Sequence, residues 1–119
     1  MTRPSEQPGS LTPPAFQILL ALADQDRHGL GIVDEVEERT RGDIRLGPGT
    51  LYGTIKRLRE VGFIEETPNA PNPSDDDPRR RYYAITPSGR EVLAREARRL
   101  EVLVHIARAK AVLDSAEGK

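Results

Sequence analysis

Apolar positions along the chain fall into four stretches with helical spacing and two short stretches that alternate. In "LTPPAFQILLALADQDRHG", Phe16, Leu19, Leu20 and Ala23 recur at i, i+3, i+4 and i+7, and Ile18 and Leu22 widen the stripe. This predicts a mostly buried helix with Thr12 as N-cap and Pro13 at the first helical position, where a missing N–H costs nothing. It ends near Asp24, and "DQDRHG" reads as a turn. "LGIVDEVEERT" predicts a second helix, with Leu30, Val33 and Val36 inward and Asp34, Glu35, Glu37 and Glu38 outward. It should stop near Arg41 and Gly42, with the glycine at C′. A third helix runs from about Pro48 to Val61, ended by Gly62. "FIEET" (Phe63 to Thr67) and "RRRYYAIT" alternate as strands, so Tyr82 and Tyr83 should face opposite sides, one buried and one exposed. Between them "PNAPNPSDDDP" is a loop, making a hairpin with a long tip. "TPSGREVLAREARRLEVLVHIARAKAVL" closes the chain as a long helix, with Thr86 as N-cap and Pro87 at N1.

The stretch "RLGPGTLYGTIKRL" decides the function. A phosphate-cradling loop needs G-x-x-x-x-G-K-[ST] behind a buried strand, but Gly47 and Gly53 are six apart and Thr54, not lysine, follows directly. A dinucleotide fingerprint needs G-x-G-x-x-G, and Gly47, Gly49 and Gly53 miss that spacing by one residue. As the mouth of a helix the stretch makes better sense. Leu51, Ile55 and Leu58 fall about 180–240° around the helix from Gly49 and mark the core side. Gly49, Gly53, Lys56 and Glu60 then face outward, flanked by Thr50, Tyr52 and Arg57. Small residues allow close approach to a surface, and the hydroxyls and cations beside them suit phosphates and base edges in a DNA major groove.

Charge changes this picture less than its distribution does. The 119 residues carry 18 Lys+Arg and 19 Asp+Glu, a formal net charge of −1. The acids crowd the second helix, whereas Lys56, Arg57, Arg59 and the run Arg79, Arg80, Arg81 gather around the third helix and the hairpin base. With no cysteine and only His28 and His105, no metal cluster, disulfide or cofactor is expected, and no nucleophile–base pair suggests an enzyme. No apolar run approaches the roughly 20 residues that span a bilayer, and the N-terminus does not resemble a signal peptide. The chain reads as cytoplasmic.

Helices followed by a basic hairpin make a winged helix-turn-helix: mainly α (α+β), with a two-stranded β wing and a long C-terminal helix. The expected organisation is a disordered tail over 1–10, a DNA-binding domain over 11–86 and a dimerisation helix over 87–119. A winged helix used only for protein–protein contact is the alternative, which the charges on the outward face disfavour.

The segments "LTPPAFQILLAL", "HGLGIVDEVEERT", "LGPGTLYGTIKRLREVGFIEE" and "RRRYYAITPSGREVL", in this order from Leu11 to Leu93, resemble the PadR family of bacterial transcriptional regulators. The resemblance implies a winged-helix domain, a dimerising C-terminal region and, usually, repression relieved by a small molecule. It makes the third helix the recognition helix, with Gly49, Thr50, Tyr52 and Lys56 matching the family pattern; Gly53 stands where the family often has proline.

Leu93, Ala97, Leu100, Val104, Ala107 and Ala111 recur at alternating steps of 4 and 3, a heptad stripe, while Leu103 and Ile106 lie off it. A helix apolar on so much of its circumference needs a second covering surface, which a twofold copy supplies. A homodimer would present two recognition helices to a palindromic duplex. Phe16, Leu20 and Leu103 are candidate lining for an effector pocket. The family's tryptophan stacking of flat drugs is not available to a chain without Trp.

Overall fold

The computed structural model describes residues 11–68 and 80–114. Helix α1 spans Pro13–Ala21, with Thr12 Oγ1 accepting the Ala15 amide at 3.3 Å. It stops short of Asp24, and arginine side chains satisfy carbonyls at and just past its end. Arg27 Nε donates to the Ala21 carbonyl at 2.7 Å, and Arg90 Nη2 to that of Ala23 at 3.0 Å. What reads as a turn then holds a short strand, β1, Arg27–His28.

Helix α2 covers Gly29–Arg39 and buries Gly29, Ile32, Val33 and Val36. Leu30, expected inward, is 54% exposed. It sits about 100° around the helix from Gly29, off the face that Ile32 and Val36 define. The helix ends in a Schellman motif: Gly42 N donates to Glu37 O at 2.8 Å and Arg41 N to Glu38 O at 3.2 Å. The C′ position belongs to Arg41 (φ 54°), with Gly42 (φ 84°) one residue later than expected.

Helix α3, Pro48–Glu60, ends in the same way, with Gly62 at C′ (φ 84°). Strands β2 (Ile64–Thr67) and β3 (Tyr82–Ile85) form the expected hairpin, and β1 adds a third strand on the far edge of β3. All pairings are antiparallel, with Arg27 opposite Tyr83, His28 opposite Tyr82 and Ile64 opposite Ile85. Tyr82 and Tyr83 are both buried because both faces of β3 are covered, which corrects the expectation that one would be exposed. Tyr83 joins the hydrophobic core, while the Tyr82 ring meets His28 edge-on at 5.2 Å. The tail over 1–10, Arg79 and most of the wing loop lie outside the described residues.

The core centres on α1, whose Ile18 and Leu19 are fully buried with Leu22 just past its end, and which packs against α2, α3 and the final helix. That helix, α4, is Pro87–Ala109, with Thr86 Oγ1 accepting the Gly89 amide at 3.1 Å. Only its N-terminal part rests on the domain, burying Val92, Leu93 and Glu96. Glu96 is held ionised by Arg99, whose hydrogen bonds of 3.0 and 2.5 Å keep the carboxyl below its usual range.

Candidate nucleic-acid interface

Helix α3 opens on a glycine N-cap with no side-chain hydrogen bond, followed by Pro48 at the first turn. Its inner face buries Leu51, Thr54, Ile55 and Leu58, as the spacing predicts for the three aliphatic residues. Gly49, Thr50, Tyr52, Lys56 and Arg57 are exposed and Gly53 is half-buried. A Cβ at Gly47 or Gly49 would meet nothing within 4 Å, and one at Gly53 only the tip of Arg57 at 4.0 Å. None of the three adopts a positive φ. The isolated fold therefore does not require glycine at these positions, although glycine inside a helix costs about 1 kcal/mol relative to alanine.

Two concave surfaces flank the helix. One, of about 350 Å³, lies against the start of α1 and is lined by Thr12, Pro14, Gly49, Thr50, Gly53, Thr54 and Arg57. The other, of about 380 Å³, lies between α3, the start of α2 and the base of the wing. It is lined by Tyr52 together with His28, Gly29, Leu30, Arg80, Arg81 and Tyr83. Tyr52 lies over Gly29, where an added Cβ would come within 2.5 Å of its hydroxyl. Residues distant in sequence, Tyr52 and Arg80–Arg81, are thus brought together. Lys56 shares their side of α3 and lines neither surface.

The arginines differ in their freedom. Arg81 donates to Glu66 at 2.8 Å, and Arg59 lies 3.5 Å from the same carboxylate. The Glu66 hydrogen bond and charge raise the Arg81 pKa, and part of its charge is answered within the protein. Arg80 instead places Nη1 3.1 Å from His28 Nε2. On α2, Glu35 pairs with Arg39 and Glu37 with Arg45, so these acids are engaged with α2 and its following loop.

His28 is the residue that sequence reasoning missed. It is the N-cap of α2, its Nδ1 accepting the Gly31 amide at 3.1 Å. Burial first, then the Arg80 charge, hold its pKa below the ordinary 6.5, against a smaller upward pull from Asp34. Histidine ranks below Ser, Thr, Asp and Asn as a cap, so the tripeptide "RHG" carries no strong helix-start signal. Its lowered pKa has a definite sign. As pH falls below about 6.5 the unfolded chain takes up the proton before the folded one, so stability is lost from that point down to the folded value. Thermal melts between about pH 7.5 and pH 5 are expected to show this loss, and His28→Ser to reduce it. An equal pH dependence in both proteins would contradict the assignment.

The remaining candidates separate by location. Leu93 is 8% exposed and belongs to the core of its own domain, so the domain covers the first residue of the expected heptad stripe. Ala111, its last, lies beyond α4 with φ 64°, in a Schellman turn closed by Val112 N to Ala107 O at 2.9 Å. Between them Leu103, Val104 and Ile106 are exposed and Leu100 and Ala107 half-buried, with Ala97 exposed. Phe16 packs against the core, and Leu20 is exposed on α1. No described helix is long and apolar enough to cross a membrane.

Comparison with known proteins gives this arrangement a family. The chain is 36% identical over 88 residues to the transcriptional regulator Rv3488 of Mycobacterium tuberculosis, covering 74% of this chain and 76% of that protein. It is 39% identical over 80 residues, 67% of its length, to a 37.1 kDa protein of transposon Tn4556 from Streptomyces fradiae, of which it spans only 21%. Its fold matches that of Bacillus subtilis PadR, solved in complex with operator DNA, with a TM-score of 0.56 and 21% identity, over 67% of this chain and 44% of that one. The family model described as "Transcriptional regulator PadR-like family" matches residues 18–95, and the chain belongs to that family of transcriptional regulators, which are not enzymes.

Proposed function

We propose that the protein is a sequence-specific DNA-binding regulator that acts as a homodimer, with α3 as its recognition helix. The observation that carries this reading is the outward face of α3. A side chain at Gly49 would meet nothing and one at Gly53 only the tip of Arg57, beside exposed Lys56, so bulk is removed where the monomer has no need of its removal. A duplex approaching the helix supplies the need. Thr50, Tyr52 and Gly53 would lie against base edges or the adjoining backbone, and Arg57, Arg80 and Arg81 against phosphates. Arg79, outside the described residues, would extend the same basic run. That B. subtilis PadR was solved with operator DNA supports the reading by likeness of fold.

Dimerisation would use Ala97, Leu100, Leu103, Val104, Ile106 and Ala107 of α4. A second copy of the chain suits this surface because twofold symmetry would place two copies of α3 against a palindromic site. Repression, and its release by a small molecule seated near Phe16, Leu20 and Leu103, is carried over from the family resemblance. α1, which holds Phe16 and Leu20, packs on α4, whose buried residues end at Glu96, whereas Leu103 is exposed further along that helix.

The test is binding to the DNA upstream of the protein's own gene, titrated at several salt concentrations, with a scrambled duplex as control and a random-library selection if the first site fails. Specific binding that weakens steeply with salt is expected. Lys56→Ala should leave the melting temperature near that of the wild type and weaken binding about tenfold, roughly 1.4 kcal/mol. Undiminished affinity in that variant would remove Lys56 from the interface. No preference for any duplex after selection would favour a protein-contact role for the fold.

A further inference from the structure

The contacts of His28 pose a chemical problem. A neutral imidazole that accepts a hydrogen bond at Nδ1 carries its proton on Nε2. Nδ1 accepts from the Gly31 amide, and burial with the Arg80 charge keeps the ring neutral near pH 7. Nε2, the protonated nitrogen, then lies 3.1 Å from Arg80 Nη1, and a guanidinium has only donors. Two donor nitrogens thus stand side by side, with no acceptor between them, on residues lining the cleft that Tyr52, Arg81 and Tyr83 also line. An oxyanion satisfies both at once. The facing charges favour it: Arg80 and Arg81 look into the cleft, Glu66 is occupied by Arg81 and Arg59, and Asp34 is the acid felt from α2.

We propose that His28 is a phosphate-binding residue, which together with Arg80 takes one backbone phosphate of the duplex on the flank of α3. This rests on the DNA-binding reading above and adds to it the residue that caps α2. The cap on α2 is what sets the tautomer: by accepting the Gly31 amide, Nδ1 leaves Nε2 as the donor. A phosphodiester suits the place because Tyr52, from the outward-facing helix, forms one wall of the cleft. The contact is to backbone, so it adds affinity without base preference.

Three variants and one spectrum test this. His28→Ser keeps a good N-cap and removes the Nε2 donor. It is expected to weaken binding to the specific and the scrambled duplex by the same factor, about tenfold, while the preference between them is unchanged. His28→Gln, whose amide nitrogen can stand where Nε2 stands, should recover most of that loss, and His28→Asn checks the cap separately through the melting temperature. Nitrogen-15 spectra of the free protein near pH 7 should show the Nε2–H tautomer, with the Nε2 signal moving on addition of duplex. Full-strength binding by His28→Ser, equal losses in Ser and Gln variants of equal stability, or an Nδ1–H tautomer would each overturn the proposal. So would saturation of the Nε2 signal by inorganic phosphate at the concentrations at which duplex acts, which would mark a site for a free anion instead. Failure of the wild-type protein to bind any duplex would sink the DNA-binding reading itself. A wild type that binds, beside a His28→Ser that binds equally well, sinks only this inference.

Discussion

Gly89→Ala is expected to destabilise the domain by about 3 kcal/mol or more, the upper end of what overpacking costs. A Cβ at this position would stand 2.1 Å from the carbonyl oxygen of Phe63 and 2.9 Å from Ile85 Cγ1. Backbone, not a flexible side chain, is the obstacle, and that backbone is held from several directions. Phe63 O accepts from Thr86 N at 3.0 Å, and Phe63 N closes the end of α3 on Leu58 O at 2.9 Å. Thr86 Oγ1 donates to Gly62 O at 2.6 Å while capping α4 through the Gly89 amide. The methyl group therefore cannot enter without parting the start of α4 from the junction of α3 and β2. In a domain of this size each kcal/mol moves the melting temperature by roughly 4–8 °C, so a fall of about 12 °C or more should be read in a thermal melt. Gly49→Ala is the control: its Cβ meets nothing, and helix propensity predicts unchanged or slightly raised stability. A fall of only a few degrees in Gly89→Ala would mean that this junction yields more easily than its hydrogen bonds suggest.

Leu103→Asp should turn the proposed dimer into a folded monomer and reduce affinity for a palindromic site roughly a hundredfold, about 2.7 kcal/mol. Leu103 is 48% exposed on the part of α4 that leaves the domain, and Val102, Val104 and Ile106 are exposed around it. A carboxylate there costs the monomer little, because the side chain already meets solvent. In an interface the same carboxylate would be buried opposite its twofold mate, an unpaired charge at an apolar contact. The loss of DNA affinity follows because two half-sites would no longer be bound as one unit. Light scattering or sedimentation reads the mass, and the melting temperature at low concentration reads the integrity of the domain. A Leu103→Asp protein that remains dimeric would move the interface elsewhere.

Local spacing and capping chemistry carried most of the fold. The N-caps Thr12 and Thr86, the prolines after them and the stop at Gly62 are where the residues imply, because each acts through atoms within a few positions along the chain. The core face of α3 was equally legible, since Leu51, Ile55 and Leu58 repeat at helical spacing and nothing competes with that face. Leu30 was misplaced because a short amphipathic stretch offers more than one apolar direction, and only packing chose Ile32.

From its sequence alone, this protein's helices, hairpin, basic outward helix and family were determined, because each rests on periodicity or on short-range chemistry. Tertiary structure decided the rest, because it joins residues with no periodic relation. It made Arg27–His28 a strand by giving it β3 as partner, and set His28 against Tyr82 while Tyr83 joined the core. It tied Arg81 to Glu66, gave Leu93 to the domain core, and brought His28 to within 3.1 Å of Arg80, 52 positions away. A lone histidine before a glycine signals none of this, since its role is defined by the wing that folds back against it.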